Sequence, residues 1–589
     1  MTQSAYDPKV LKANLDELED LTVRLVKAIA NKREKDPALS GPGYNLYAKA
    51  AAAYYAEMMS RPEKIIEQQV QFWRKSLENF SNAQKILSEE GEAPKKGADR
   101  RFKNPLWDSN PYFNFVREQY LLSSDTIQHA VDGLDDIDDK DKQRVQFFAR
   151  QMVDLFSPSN FFGTNPDALE KALETNGQSL VDGLANLVRD LEANEGELQV
   201  TLADPKAFEV GGNIATSPGE VVFRNRMFEL IQYAPLTEEV YKTPLVIFPP
   251  WINKFYILDL KEKNSFIRFA VSQGYTVFVV SWVNPDEAYR DVGIDTYAKE
   301  GALAAIDAVE KITGAKKMNA IGYCIGGTLL TITLAMMAQA KDDRIKTATF
   351  FTTLTDFAEA GELGVFIDRD FLTAIEKEVD GRGYLDSFFM SRTFSFLRAN
   401  DLVYAPAVRS YMMGEAAPAF DLLFWNGDST NLPARMAKEY LRHLYQGNEL
   451  VEGRFEIDGK KLDMGDIKLP VFAVATESDH IAPWKSSFAG MRRMSGDKTL
   501  VLSESGHIAG IVNPPAAQKY GYWLNPADCV DPDAWQKAAE HHAGSWWPHW
   551  SAWLAEQSGK KVPARLPGGE EFPALAPAPG TYVVAARKK

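Results

Sequence analysis

The segment G-Y-C-I-G, Gly322–Gly326, places a cysteine between two glycines where a strand-like run gives way to a helical one. Residues 317–321 (K-M-N-A-I) are typical of a short buried strand, and 327–340 form an apolar run long enough for a helix. A sharp strand-to-helix turn needs small residues two positions before and two after its central residue, because the two backbones approach too closely for side chains. The pattern therefore predicts a nucleophile elbow that exposes the Cys324 thiol at the end of a sheet.

The composition limits the classes of protein that this chain can belong to. A length of 589 residues exceeds what one core usually organises, and 45% hydrophobic with 25% charged residues is typical of globular domains. A net charge of −15 without a long Lys/Arg run gives no general attraction to nucleic acid. No run approaches the ~18 apolar residues of a membrane span, and no secretory leader is visible. We expect two domains in a cytoplasmic protein without a transmembrane segment.

Helical patterns run through about Asn194, interrupted at 88–103 by a charged stretch with Gly and Pro that we interpret as a linker, so we predict that the first 205 residues form an all-α N-terminal domain. One amphipathic helix is predicted near the N-terminus. Its apolar positions are Leu11, Leu15, Leu18, Leu25 and Ile29. A second helix carries an apolar stripe at alternating steps of four and three, consisting of Ile66, Val70, Trp73, Leu77 and Phe80. A stripe that faces the core is the favoured interpretation, and a stripe that binds a partner or the polymer surface is the alternative.

From residue 206 to 589, strand-like runs alternate with helical ones, which indicates an α/β fold with a mostly parallel sheet. The predicted strands are 243–248, 275–282, 317–321, 345–353, 470–476 and 498–502. The aromatic stretch at about 355–466 is longer than one crossover requires, so we predict a cap inserted over the catalytic face. The Pro/Gly/Ala-rich tail from residue 560 is expected to run over the surface.

A nucleophilic thiol needs a base to take its proton and usually a third group to orient that base. His507 directly follows the last predicted strand, and Asp479 follows the preceding strand. The chain order nucleophile, acid, histidine is that of the α/β-hydrolase template. We therefore predict a catalytic triad of Cys324, Asp479 and His507, which would act by acyl transfer through a thioester.

Other residues could fill some of these roles. Asp356, at the end of the strand after the elbow helix, is the reserve candidate for the acid, whereas His480 is interpreted as structural. Cys529 has no base nearby in the sequence, and two cysteines fit neither a disulfide framework nor a zinc-binding spacing. Packing is favoured over metal binding for the histidines of the C-terminal aromatic segment, His541, His542 and His549. No metal site is therefore expected.

The oxyanion hole of such a site uses the amide after the nucleophile, here that of Ile325, with a second amide from the loop after an early strand. That loop is P-P-W-I-N-K, 249–254. We assign the second donor to Ile252 rather than Trp251. The two prolines stiffen the loop and lack amides of their own, which is consistent with a preorganised donor just beyond them.

Taken together, these residues resemble the polyhydroxyalkanoate synthases, and most closely the class I type that makes poly-3-hydroxybutyrate. Nearly the whole chain carries the resemblance, in runs such as S-P-S-N-F-F-G-T-N-P (157–166), P-P-W-I-N-K-F-Y-I-L-D-L (249–260), S-W-V-N-P-D (281–286), T-F-S-F-L-R-A-N-D-L-V-Y (393–404), D-L-L-F-W-N-G-D-S-T-N-L-P (421–433) and S-G-H-I-A-G-I-V-N-P-P (505–515). The resemblance implies the Cys-Asp-His triad, an α/β-hydrolase domain with a cap, a helical domain before it, and a homodimer.

The implied activity is polymerisation of (R)-3-hydroxyacyl-CoA with release of CoA, without a metal or redox cofactor. The growing polyester chain and the surface of a polyester granule in the cytoplasm would be its partners, with granule-associated proteins as further ones. Arg398, in the run F-S-F-L-R, is a candidate for binding the CoA phosphates. Trp251 stands where the family pattern often has cysteine, so it is a candidate substrate-pocket residue. A thiol-dependent thioesterase or depolymerase, and a non-enzymatic granule-coating protein, are the alternative functions.

Overall fold

The computed structural model describes residues 8–31, 48, 51–52, 54–56, 62–87, 99–134, 137–367, 369–527 and 529–585. The chain groups into two compact units. The first comprises the chain up to Asp204 together with 392–418, and the second comprises 205–391 and the chain from Ala419 onward. No helix within the described ranges is long and apolar enough to cross a membrane.

The first unit is helical. Its helices before residue 205 are α1 (Pro8–Ala30), α2 (Pro62–Leu87), α3 (Leu106–Ser109), α4 (Pro111–Asp132), α5 (Asp139–Leu155), α6 (Pro166–Glu174) and α7 (Gln178–Ala193). Helix α1 packs on α7, where Leu21 is buried with Val181 and Val188. The predicted amphipathic N-terminal helix is confirmed, although Leu15 and Ile29 are more than half exposed.

The apolar stripe on α2 faces outward. Its members are 52–68% exposed: Ile66, Val70, Trp73, Leu77 and Phe80. The helix packs on α4 along the border of the stripe, where Gln119 accepts a hydrogen bond from Asn79 and donates one to Ser76, and the ring of Phe80 lies 6.2 Å from that of Phe115. The prediction that the stripe faces a core is wrong, because these polar pairs set the rotation of α2 against its neighbour.

Residues 392–418 also belong to the helical unit, although they lie far along the chain and inside the range predicted as the cap. The Gln151 side chain donates to the Phe396 carbonyl at 3.1 Å. The Tyr411 hydroxyl donates to the buried Asp190 carboxylate at 2.8 Å. The helical unit is therefore built from two separate stretches of chain.

The second unit is organised around one large sheet. Its strands are β1 (Gly219–Arg224), β2 (Phe228–Tyr233), β3 (Glu239–Tyr241), β4 (Leu245–Phe248), β5 (Val277–Trp282), β6 (Met318–Tyr323), β7 (Ile345–Phe351), β8 (Tyr384–Leu385), β9 (Leu432–Pro433), β10 (Glu456–Ile457), β11 (Lys460–Lys461), β12 (Val471–Thr476), β13 (Lys498–Ser503), β14 (Tyr522–Leu524), β15 (Glu540–His542), β16 (Lys561–Pro563) and β17 (Ala576–Pro577). In the described part of the chain, the large sheet has the order β15-β14-β13-β12-β7-β6-β4-β5-β2-β1-β17. The strands from β13 to β5 are parallel, and those at both edges are antiparallel. The loops after β4, β6, β12 and β13 therefore meet at one edge of the sheet.

The chain after residue 205 also forms helices, most of which belong to the second unit, whereas those within 392–418 belong to the helical unit. After residue 205 the chain forms α8 (Phe266–Ser272), α9 (Ile294–Thr296), α10 (Ala304–Thr313), α11 (Ile325–Gln339), α12 (Gly361–Phe366), α13 (Arg369–Arg382), α14 (Ser387–Leu397), α15 (Ala405–Ala407), α16 (Asp421–Gly427), α17 (Ala434–Glu439), α18 (Trp484–Arg492), α19 (Pro532–Lys537) and α20 (Trp547–Gln557). Buried aromatic rings join α8 to α20: the Phe266 ring lies 5.2 Å from that of Trp547 and 4.9 Å from that of Trp550. This packing gives the loops at the sheet edge a rigid support.

The six strands predicted from the sequence are present as β4, β5, β6, β7, β12 and β13, each within two residues of its predicted ends. The predicted α/β class is confirmed. Strand β2 was missed because its sequence, F-E-L-I-Q-Y, contains Glu229 and Gln232, both fully buried. A six-residue run that contains one charged and one amide side chain is not typical of a core strand.

The C-terminal tail supplies partners for these buried groups. The Glu229 carboxylate accepts hydrogen bonds from the amides of Thr581 and Tyr582 at 2.8 and 2.9 Å. The Gln232 side chain accepts one from the Gly568 amide at 2.9 Å. Strand β17 pairs with β1 as the last strand of the sheet. The tail therefore runs over the surface, as predicted, and in addition forms the edge strand of the sheet.

Replacing Glu229 with glutamine is expected to lower the free energy of unfolding of the second unit by about 2–3 kcal/mol. Oε2 of Glu229 accepts both tail amides, and Oε1 accepts from the Arg224 guanidinium and the Thr581 hydroxyl. A glutamine would turn its NH₂ group toward one of these two sets of donors and would lose the charge opposite Arg224. Urea unfolding followed by circular dichroism measures the loss. The matched control is Glu239→Gln on the exposed start of β3, where a change within about 0.5 kcal/mol is expected. Equal losses from the two variants would contradict a stabilising role for the contacts between the buried Glu229 carboxylate and the tail.

Candidate active site

Cys324 occupies a strained turn between β6 and α11. Its backbone has φ 54° and ψ −123°, a conformation that residues with a side chain rarely adopt. The Cys324 amide donates to the Phe351 carbonyl at the end of β7, at 2.8 Å. The strand, turn and helix predicted from the motif are present, and strain held in this way is typical of functional positions.

The flanking glycines are required by close backbone contacts. A Cβ atom added to Gly322 would lie 2.4 Å from the Cα of Gly327. A Cβ atom added to Gly326 would lie 2.2 Å from the Phe248 carbonyl oxygen and 2.7 Å from that of Pro249. The elbow is therefore pressed against the end of β4, where the P-P-W-I-N-K loop begins.

Asp479 and His507 form a hydrogen-bonded pair at the same edge of the sheet. The loop after β12 carries Asp479 and the loop after β13 carries His507, and Asp479 Oδ2 lies 2.7 Å from His507 Nδ1. The other carboxylate oxygen accepts the amides of Ile481 and Ala482 at 2.9 and 2.8 Å. These backbone bonds fix the carboxylate, which in turn orients the buried imidazole.

The surroundings of His507 favour its charged form. Burial of the ring opposes the charge, but the Asp479 carboxylate and the Cys324 sulfur outweigh it and raise the pKa of His507 to about 10. The ring stacks beside that of Tyr323, with centroids 6.0 Å apart. Because the charged imidazolium is stabilised, transfer of a proton from the neighbouring thiol to His507 is favoured.

The alternative candidates have other partners. Asp356 accepts a hydrogen bond from the Asn448 side chain at 2.9 Å and caps its own loop through the Ala358 amide. The Asn525 side chain lies 3.7 Å from the Cys529 sulfur. The residues that the fold brings together with Cys324 are those of the predicted triad.

The C-terminal histidines pack against aromatic rings. The His542 ring stacks on Tyr522 with centroids 5.2 Å apart, and that of His549 lies 5.9 Å from Phe472. His541 contacts the Trp523 ring at 5.0 Å. Within the described ranges, no group of three or more His, Cys, Asp or Glu side chains could hold a metal ion. His542 and His549 pack as predicted, whereas His541 is exposed and its Nε2 also lies 3.0 Å from the Glu504 carboxylate.

Comparison with known proteins agrees with this geometry. Residues 98–270 match the family model described as the N-terminus of poly-beta-hydroxybutyrate polymerase (PhaC), and 244–514 match the alpha/beta hydrolase fold. The chain is 42% identical to a poly(3-hydroxyalkanoate) polymerase of Methylorubrum extorquens, over 98% of both chains. It is 41% identical to the poly(3-hydroxyalkanoate) polymerase subunit PhaC of Cupriavidus necator, over 86% of this chain and 87% of that one.

The chain belongs to the poly(3-hydroxyalkanoate) polymerase family. It is therefore an acyltransferase of the α/β-hydrolase superfamily.

Two further predicted residues of this polymerase lie in different units. Trp251 is buried in the second unit, and its ring stacks on Tyr297 with centroids 4.6 Å apart and planes at 25°. Arg398 lies in 392–418, the part of the helical unit that comes late in the chain. The assignment of CoA phosphates to Arg398 stays a prediction.

Sequence analysis did not single out two buried tyrosines near Cys324, Tyr440 and Tyr445. The hydroxyls of Tyr440 and Tyr445 are 3.5 Å apart, and both rings contact Phe357. Burial, and then nearby groups that include Cys324, raise the pKa of both phenols, which stay protonated. Both belong to the aromatic stretch already singled out as a cap, but aromatic content alone does not show which rings reach the site.

Proposed function

We propose that this protein polymerises (R)-3-hydroxyacyl-CoA, with 3-hydroxybutyryl-CoA as the expected monomer of a class I enzyme, through an acyl-Cys324 intermediate. The observation that carries the proposal is a cysteine at the elbow of an α/β-hydrolase fold whose histidine and aspartate pair at 2.7 Å. Asp479, His507 and Cys324 would form the triad, and the amides of Ile325 and Ile252 the oxyanion hole.

In the first half-reaction, His507 takes the Cys324 proton and the sulfur attacks the carbonyl carbon of the acyl-CoA. The bond from that carbon to the CoA sulfur breaks, and the CoA thiolate leaves with the proton from His507. One thioester replaces another, so the step is nearly thermoneutral and the acyl group stays activated. A serine ester would lose that activation.

In the second half-reaction, the 3-hydroxyl of a monomer or chain end attacks the acyl-cysteine carbonyl. The hydroxyl proton passes to His507, an ester bond forms, and the carbon–sulfur bond breaks to return the Cys324 thiol. Atoms and charges balance without a metal or redox cofactor, and we propose that none takes part. Water competes with the hydroxyl, so excluding it is the role we assign to the aromatic cap.

Replacing Asp479 with asparagine is expected to separate the two half-reactions if the carboxylate mainly serves the attacking hydroxyl. The variant should then acylate Cys324 but elongate at least about 100-fold more slowly. If Asp479 instead orients His507, both steps should slow together. Quenched-flow CoA release measures acylation, and polymer mass per CoA released measures elongation. Asp356→Asn is the control, and normal elongation by Asp479→Asn would exclude that residue from both roles.

Two other functions predict different products. A thioesterase or depolymerase would release free 3-hydroxy acid, and a granule-coating protein would release no CoA. Incubating the full chain with 3-hydroxybutyryl-CoA while measuring CoA, soluble hydroxy acid and insoluble polyester tests all three. Stoichiometric CoA and polymer are expected, and free acid as the main product would refute the proposal.

We also propose that the protein works as a homodimer at the surface of polyester granules in the cytoplasm. Granule-associated proteins would be its further partners there. The exposed stripe of α2 supports an assembly or polymer-handling role for the helical unit, because exposed apolar surface of this kind is common at interaction sites. Sedimentation with and without isolated granules tests it.

A further inference from the structure

We propose that Thr430 is a positioning residue for the oxyanion hole. Its hydroxyl and amide hold the P-P-W-I-N-K loop so that the Ile252 N–H points at the oxygen of the reacting acyl group. The inference rests on the proposed acyl-Cys324 chemistry. It adds a residue about 180 positions away in sequence, outside the triad and outside the loop itself.

The first step of the argument is the planarity of the peptide bond. The Thr430 hydroxyl donates to the Trp251 carbonyl. That carbonyl and the Ile252 N–H belong to one planar trans peptide and point in opposite directions. The Thr430 amide also donates to the Ile252 carbonyl at 2.9 Å, which fixes the next peptide. Thr430 therefore sets the direction of the Ile252 N–H from both sides.

The rest of the loop is held by its other carbonyls. The Trp282 indole donates to the Pro249 carbonyl at 2.9 Å. The Trp425 indole donates to the Lys254 carbonyl at 2.7 Å. A donor that is already aligned stabilises a developing oxyanion without reorganising during the reaction. Because these two indole bonds fix the ends of the loop, the orientation of its central peptide depends on Thr430.

Thr430 is itself held firmly. It is buried, with 3% of its surface exposed. Two residues earlier, Asp428 accepts from the Lys254 ammonium at 2.7 Å and from the Tyr256 hydroxyl at 2.8 Å. Ser429 forms an antiparallel bridge with Asn253. The segment Asp428–Thr430, which is buried at Ser429 and Thr430, thus lies along the loop and holds it in place.

The P-P-W-I-N-K loop lies next to the elbow. Gly326 packs against the carbonyls of Phe248 and Pro249, which brings the Ile325 amide to the base of the loop. In the described part of the chain, the amides of Ile325 and Ile252 donate to no protein acceptor. Two buried amides without protein acceptors are suited to bind an oxyanion.

The test compares Thr430→Val, which keeps the shape and removes the hydroxyl, with Thr430→Ser, which keeps the hydroxyl. The matched control is Thr333→Val, because the Thr333 hydroxyl is equally buried and also donates to a backbone carbonyl, that of Leu329, within α11. We expect Thr430→Val to lower kcat for CoA release from 3-hydroxybutyryl-CoA by about 10- to 100-fold, with KM within about twofold. Thr430→Ser should recover to within about threefold, and Thr333→Val should resemble the unaltered protein.

A second probe separates positioning from general destabilisation. 3-Hydroxybutyraldehyde would form a hemithioacetal with Cys324, whose oxygen occupies the oxyanion position, whereas free CoA would not use that position. Thr430→Val should weaken inhibition by the aldehyde by about the same factor as kcat, and leave inhibition by CoA unchanged. The pH midpoint of the rate should also be unchanged, since the triad is not altered.

Equal losses of activity in Thr430→Val and Thr333→Val, or equal weakening of aldehyde and CoA, would overturn the inference. If Thr430→Val does not fold, Thr430→Ala against Thr430→Ser gives the same comparison. Intact-mass measurement of the acyl adduct distinguishes failure of the proposed function from failure of the proposed role of Thr430. An unaltered protein that forms no adduct on Cys324 refutes the proposed function, whereas normal adduct formation with fully active Thr430→Val refutes only the role of Thr430.

Discussion

Cys324→Ala is expected to reduce both CoA release and polymer formation to background, a loss of at least about five powers of ten. The substitution removes the thiol that we propose forms the thioester, and it changes little volume. It also keeps the backbone cost of the left-handed φ at this turn, because alanine has a Cβ as cysteine does. The melting temperature should therefore stay within a few degrees of that of the unaltered protein, by circular dichroism.

Two further variants make this result specific. Cys324→Ser should be nearly as inactive, because a hydroxyl at its ordinary pKa is a poorer nucleophile than a thiol. Cys529→Ala, which removes the second cysteine, should keep full activity. Intact-mass spectrometry after a single turnover locates the adduct, and an acyl group on Cys529 instead of Cys324 would overturn the assignment.

His507→Gln is expected to slow CoA release by about three to four powers of ten, because the side chain that takes the thiol proton and returns it to the leaving group is lost. Glutamine can keep a hydrogen bond to Asp479 but cannot accept a proton. Single-turnover acylation at several pH values measures the effect, and raising the pH should restore part of the rate by ionising the thiol without the base.

His480→Gln is the matched control for this substitution, because His480 follows Asp479 directly but contributes its backbone carbonyl to the Glu362 amide, at 3.1 Å. A loss of no more than about tenfold is expected. Equal and severe losses from the two glutamine variants would show that proton transfer is shared between the histidines.

The site could be predicted from the sequence where local rules apply. Gly322 and Gly326 indicate from the sequence alone that backbones approach closely at the turn. The order Cys324, Asp479, His507 follows from the topology of the sheet. Thr430 could not be found in this way. Its contacts with Trp251 and Ile252 join positions about 180 residues apart, and a threonine in a loop has many ordinary uses.

The fold shows the same division between local and distant interactions. Strands β4 to β7, β12 and β13 are apolar runs, so their pattern alone predicts them. The rotation of α2 depends instead on Gln119 of α4, and its apolar stripe was therefore placed on the wrong side. Likewise, the pattern of residues 392–418 cannot show that Tyr411 completes the helical unit through Asp190.

The buried Glu229 also ties the edge of the sheet to the last part of the chain to be synthesised. Its backbone partner Thr581 lies 352 residues later, which a ribosome takes roughly 20–70 s to add at about 5–20 residues per second. During that interval the Glu229 carboxylate has the Arg224 guanidinium of β1 as a partner, but the amides of Thr581 and Tyr582 that complete its hydrogen bonding are absent. Cys324, Asp479 and His507 are all translated before this tail. We therefore expect the edge formed by β1 and β17 to close only when the chain is nearly finished.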